Sequence, residues 1–241
     1  MIKVKNISKS YESVKIIDGL SLEIEKGSIF GFLGPNGAGK TTTIKMLVGL
    51  NAPDSGKILI DDKNVQKIKN REKIGFMPED PYFYDHLTAL EFLGFMQSLF
   101  SNTSEKPENI LATVGLKDVG NKPIINFSKG MKQRLGLAQA IINNPEYLFL
   151  DEPLDGLDPI GRREFKQILL ALKKEGKTIF FNSHILSDVE EICDQIGIIN
   201  KGKLIYSGNV KSFRKNQSLE DAFVDCIEHS GSASQHLSKS A

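Results

Sequence analysis

The chain has 241 residues, with 31 Lys plus Arg against 30 Asp plus Glu and a formal net charge of +1. So even a balance excludes a strongly basic chain and gives no reason to expect a nucleic-acid partner, and none is expected. No run approaches the ~18 consecutive apolar residues of a membrane span. Residues 1–12 lack the apolar core of a secretory signal, and two cysteines make neither a disulfide nor a zinc framework, so a reduced cytosolic setting is expected. The two thiols, Cys193 and Cys226, read as one packed and one in the tail.

In chain order, apolar β-branched runs alternate with segments of helical period, the pattern of an α/β fold. Strands are predicted at Ile2–Ile7, Leu20–Glu25, Ile29–Leu33, Lys57–Ile60 and Lys73–Met77. Short turns at Asp18-Gly19 and Lys26-Gly27 predict that the early strands form an antiparallel sheet. A helix is predicted over Thr42–Leu50. Between about residues 85 and 145 the texture turns helical, with Leu87–Phe100, Glu108–Val114 and Ser128–Asn143. In the last of these, Met131, Leu135, Ala138 and Ile142 make one apolar stripe. Ser128 can cap its start and Pro145 stops it. Tyr147–Leu150, Lys177–Asn182 and Gln195–Ile199 are almost wholly apolar and read as buried parallel strands. Lys203–Tyr206 is a further strand. The expected organisation is a core over about residues 1–84 and 146–210, an inserted helical lobe over about 85–145, a short C-terminal extension over 211–229 and a disordered, Ser-rich tail over 230–241.

Gly34-Pro-Asn36-Gly37-Ala38-Gly39-Lys40-Thr41 fits Gly-x4-Gly-Lys-[Ser/Thr] and stands between a strand and a helix, the context a phosphate loop requires. Gly37 and Gly39 permit backbone angles that turn successive N–H groups toward phosphate oxygens, and the helix N-terminus adds partial positive charge. Lys40 is placed to reach the β- and γ-phosphates, with Thr41 as a ligand of Mg²⁺ and Thr42 beside it. The buried strand Tyr147–Leu150 runs straight into Asp151-Glu152-Pro153. Two acids ending a buried strand are costly unless a cation or a reaction uses them. Asp151 is expected to hold Mg²⁺ and Glu152 to accept hydrogen bonds from an attacking water as general base. ATP and Mg²⁺ are the cofactors this pair of motifs calls for.

With these motifs in place, Phe127-Ser128-Lys129-Gly130-Met131-Lys132-Gln133-Arg134 resembles the signature Leu-Ser-Gly-Gly-Gln of the ATP-binding cassette ATPases, the nucleotide-binding subunits of ABC transporters. Ser128 and Gly130 match; Phe127, Lys129 and Met131 depart. The resemblance covers roughly residues 2–210. It implies a P-loop NTPase core, a mixed sheet with helices on both sides and an antiparallel β-subdomain, plus the inserted helical lobe. It also implies a homodimer, or a heterodimer with a related cassette, in which Ser128 and Gly130 close over ATP held by the partner. By the same resemblance Tyr11 stacks on adenine, Asp158 crosses the dimer interface and His184 contacts the γ-phosphate. Met77-Pro78-Glu79 occupies the place of a loop whose usual residue is Gln, which touches Mg²⁺ and relays contact to the membrane partner; whether Glu79 ligates the metal as Gln would is left open.

The implied function is the ATPase subunit of a transporter whose membrane-spanning permease is a separate chain, at the cytoplasmic face of the cell membrane. Residues 183–194 and 202–208 resemble the export branch. Phe92, Phe95, Met96, Leu99 and Phe100 read either as core or as permease contacts. The alternative is a soluble cassette ATPase acting on nucleic acid or the ribosome. Lys40 and Ser128 are only 88 positions apart (128 − 40), too few for the coiled coils of chromosome-type members; repair-type zinc cysteines are missing and the chain carries one cassette. Other P-loop enzymes, such as GTPases, lack the Ser128–Arg134 segment.

Overall fold

Three five-residue strands without one exposed residue, Ile29–Leu33, Tyr147–Asp151 and Thr178–Asn182, form the centre of the molecule. The computed structural model describes residues 1–100, 105–214 and 216–232. In chain order the elements are β1 (Ile2–Tyr11), β2 (Val14–Ile24), β3 (Ile29–Leu33), α1 (Lys40–Leu47), β4 (Ser55–Ile60), β5 (Lys63–Asn64) and β6 (Ile74–Met77). There follow α2 (Ala89–Ser98), α3 (Pro107–Thr113), α4 (Lys129–Ile141), β7 (Tyr147–Asp151), α5 (Pro159–Lys174), β8 (Thr178–Asn182) and α6 (Leu186–Ile192). The chain continues as β9 (Gln195–Asn200), β10 (Lys203–Asn209), α7 (Val210–Arg214) and α8 (Leu219–Ser232).

The main sheet has the order β10-β9-β3-β8-β7-β6, parallel except for β10. Its residues alternate between two cores. Phe30, Phe32, Phe149 and Phe180 face a core shared with α1 and the antiparallel sheet β2-β1-β4-β5. Leu148, Leu150, Ile179 and Phe181 face the core built with α4, α5, α6 and the helical lobe. Phe30 and Phe180 stack with centroids 5.7 Å apart and planes 7° from parallel, which welds β3 to β8.

Four expectations need correction. β3 is not in the antiparallel sheet. The short turn at Lys26-Gly27 crosses from one sheet to the other, and β3 pairs in parallel with β8 and β9. Its unbroken apolar run, unlike the alternating β1 and β2, is the physical reason: both its faces are covered. Asp18-Gly19 is not a turn but an irregularity inside β2, where the register against β1 shifts; Gly19 has φ 65° and its N–H is taken by Ser8 Oγ at 3.0 Å. The hairpin turns instead at Glu12-Ser13, both left-handed. At the other end, α8 runs to Ser232, past the start set for the disordered tail, and residues 233–241 lie outside the described residues. Cys226 is therefore not a tail thiol; it lies half-buried on α8 against the core.

Candidate nucleotide site

The loop between β3 and α1 takes the shape its glycines permit. Gly37 and Gly39 have φ of 77° and 110°, angles that a side chain would strain. Gly39 caps α1, so the free N–H groups of the first turn face the loop. Lys40, only 8% exposed, folds back and donates from Nζ to the Gly34 carbonyl at 2.8 Å. Its Nζ also lies 3.9 Å from Glu152 Oε1.

β7 brings the acids alongside. Asp151 pairs in register with Asn182 of β8, whose Nδ2 donates to Asp151 Oδ1 at 2.5 Å. Asp151 is 1% exposed. Burial first, then the neighbouring charges of Glu79 and Glu152, push its carboxyl up to about 6, against the lowering pull of Asn182 and the Thr41 hydroxyl. A buried carboxylate so placed suits a cation, which would favour its ionised form. The Oδ1 atom of Asn182 is buried with no hydrogen-bond partner. Among the described residues no three His, Cys, Asp or Glu converge to hold a metal by themselves. Mg²⁺ is usually held by one or two carboxylates together with phosphates and water, and Asp151 with the Thr41 hydroxyl beside it fits that donor set.

Glu152 departs from the strand in the left-handed region, φ 47°, at a cost of about 1–3 kcal/mol for a non-glycine residue. The turn aims its carboxylate at His184. Its Oε2 accepts from the His184 backbone N–H at 3.3 Å and lies 2.9 Å from His184 Nδ1. His184 follows β8 directly, past the C-terminal end of a parallel strand, where open α/β sheets bind ligands.

One cavity of about 660 Å³ gathers these groups: Tyr11, Asn36, Gly37, Gly39, Lys40, Thr41, Thr42, Glu79, Glu152 and His184 all line it. Ile16 and Asp155 line it too, and sequence reasoning missed both. Ile16 arrives from the long β2, whose first half the expected strand omitted. Asp155 lies three residues past Glu152 in a loop whose acids were credited only at Asp158. Tyr11, at the tip of β1, is 44% exposed; its hydroxyl accepts from Asn51 Nδ2 at 2.9 Å. Ala38 is buried behind the loop. A larger cavity, about 1060 Å³, lies between α3, α4 and α5, but its lining is mainly apolar and it presents no phosphate-binding loop.

Ser128, Gly130 and Asp158 stand apart from the nucleotide cavity. Ser128 caps α4, its Oγ accepting from the Met131 N–H at 3.2 Å. Asp158 caps α5, its Oδ1 accepting from the Gly161 N–H at 2.6 Å. Lys129, where the resemblance led one to expect glycine, pairs at 2.7 Å with Asp155 of the same chain.

Sheet order, phosphate loop and paired acids together define a P-loop nucleotide-binding cassette. Comparison with known proteins agrees. A family model described as ABC transporter matches residues 17–155. An uncharacterized ABC transporter ATP-binding protein of Synechocystis, sll0415, is 46% identical over 223 residues; the match covers 87% of this chain and 63% of that protein. The lantibiotic transport ATP-binding protein SrtF of Streptococcus pyogenes is 39% identical, covering 94% of this chain and 97% of its own. A solved structure of an ATP-binding subunit of an ABC transporter superposes with a TM-score of 0.84 at 27% identity, covering 94% of this chain and 99% of that one. The chain belongs to the ATP-binding proteins of the ABC transporter family, while spanning less than two thirds of the first of these relatives.

Proposed function

We propose that this chain is the ATP-hydrolysing subunit of an ABC transporter, working as a pair of cassettes on a separate membrane permease. One observation carries the reading: the phosphate loop, Glu152 and His184 line one cavity, with Asp151 buried next to Glu152 at the end of β7, while a second helix start suited to an anion, at Ser128 and Gly130, does not line it. A helix N-terminus with free N–H groups suits a phosphate, and a second copy of the cassette is what brings the signature to one.

In this reading Tyr11 carries the adenine, the N–H groups of Asn36–Thr42 wrap the phosphates, and Lys40 exchanges its Gly34 carbonyl for phosphate oxygens. Thr41 and Asp151 would hold Mg²⁺, with Glu79 lining the same cavity, and the bound cation would supply charge neutralisation at the phosphates. Glu152 accepts a proton from the attacking water and His184 holds Glu152 and the γ-phosphate in line. Asp158 contributes at the paired interface.

The aromatic and aliphatic residues after Glu79 sort into two groups. Phe92 is buried and meets Phe83 edge-on at 5.3 Å, and Met96 packs against the core. Tyr82, Tyr84, Phe95, Leu99 and Phe100 are exposed, and this patch is the surface assigned to the permease. Among the described residues no helix is long and apolar enough to cross a membrane. The proposed place is peripheral, at the cytoplasmic face, on the likeness to ATP-binding proteins named for transport. Export is the proposed direction, on the resemblance of residues 183–194 and 202–208 to the export branch.

The test is phosphate release from the purified chain with Mg²⁺ and ATP, beside Glu152→Gln. Release that is absent from both, or equal in both, contradicts the reading.

A further inference from the structure

A charged cluster sits where an apolar contact would serve for packing. α5 turns Phe165, Leu169 and Leu172 to the core, and Lys166, on the same face, is 8% exposed. Its Nζ donates to Asp188 Oδ1 at 3.0 Å and to Glu191 Oε2. Asp188, 4% exposed, lies in the first turn of α6, and its other oxygen is 3.5 Å from a terminal nitrogen of Arg162. The Nε of Arg162 donates in turn to the Leu157 carbonyl at 3.2 Å. One guanidinium thus holds the backbone of the loop that follows Glu152 and a carboxylate four residues past His184 (188 − 184).

Taking such charges out of water is costly, and apolar residues of similar volume often pack as well. What the guanidinium adds is geometry: its planar fork sets the distance and plane of two partners at once. From Leu157 the chain of contacts runs through Arg162 to Asp188, along the start of α6 to His184, and so to Glu152.

The geometry points to Arg162, backed by Asp188 and Lys166, as a positioning residue that ties the Leu154–Leu157 loop to the start of α6 and so holds His184 against Glu152. The inference rests on the ATPase reading above. Movement of that loop, as when it meets a second cassette, would then reach His184 directly.

The test is steady-state ATPase kinetics and thermal melting of three variants. Arg162→Ala leaves Lys166 paired with Asp188, so no buried charge is uncovered. Lys166→Met with Asp188→Leu replaces the buried pair by apolar groups. Arg162→Lys keeps the charge but loses the fork. All three should melt within a few degrees of the parent, keep KM within about twofold and lose roughly 10- to 100-fold in kcat, the cost of a small misplacement remote from the chemistry. Values of kcat within twofold of the parent, or a loss of kcat that tracks loss of melting temperature, overturn the proposal and leave the ATPase reading standing. A parent that releases no more phosphate than Glu152→Gln overturns the reading itself, and this inference with it.

Discussion

His184 Nδ1 lies 2.9 Å from Glu152 Oε2, and the His184 backbone N–H donates to the same oxygen at 3.3 Å. A carboxylate only accepts, so the shared proton belongs to Nδ1. In a neutral ring that leaves Nε2 as an acceptor, unsuited to a phosphate oxygen. His184 therefore donates to a γ-phosphate while holding Glu152 only as an imidazolium, with Nδ1 on Glu152 and Nε2 on the phosphate.

Tyr11 is expected to supply adenine affinity and little else. Tyr11→Ala should weaken ATP binding by about 1–3 kcal/mol, roughly 5- to 150-fold, whereas Tyr11→Trp should keep it. Titration with a fluorescent ATP analogue reads this directly. Unchanged affinity in the alanine variant would remove Tyr11 from the site.

Lys40 holds the Gly34 carbonyl at 2.8 Å, so its loss affects both the loop and the ligand. Lys40→Ala should lower ATP affinity by at least about tenfold, since charge-assisted bonds to phosphate contribute more than neutral ones. Tight ATP binding by this variant in the same titration would contradict the phosphate-loop assignment.

Asp151 sets a pH dependence for the nucleotide-free chain. Its carboxyl, pushed up to about 6 from an ordinary 3.8, holds a proton longer when folded than when unfolded. Stability therefore falls as pH rises between those two values, and the loss is complete above the upper one. Asp151→Asn, which never ionises, should raise nucleotide-free stability at pH 7.5 by about 1–3 kcal/mol, with the gain shrinking toward zero near pH 4. Urea unfolding at both pH values checks the sign.

Glu79 is one of the charges that raise Asp151. Glu79→Gln should leave ATP binding within about threefold, less than ~1 kcal/mol, because Glu79 lines the cavity as an exposed residue. Abolished binding in a Mg²⁺-dependent titration would show that Glu79 is central to the site.

Most of the site was legible because its chemistry is contiguous: Gly34–Thr42 and Asp151-Glu152 each put their groups within one turn of chain. The parallel centre was legible from its apolar runs. β3 was misassigned because a two-residue turn looks alike whether the chain folds back or crosses to another sheet; its five buried residues were the better signal. Ile16 and Asp155 escaped because only the tertiary fold carries the tip of β2 and the loop after β7 to the same cavity. Arg162 and Asp188, 26 residues apart (188 − 162), were invisible for the same reason.

The central claim is that this cassette is half of a hydrolytic unit. Glu152→Gln keeps the shape of the side chain and removes the base, so turnover should fall by about 10²–10⁴ while ATP binding survives. Sedimentation of that variant with Mg²⁺ and ATP is the most direct test. A shift from one chain to two, absent without nucleotide, is the predicted result; a chain that remains monomeric with ATP bound would contradict the account.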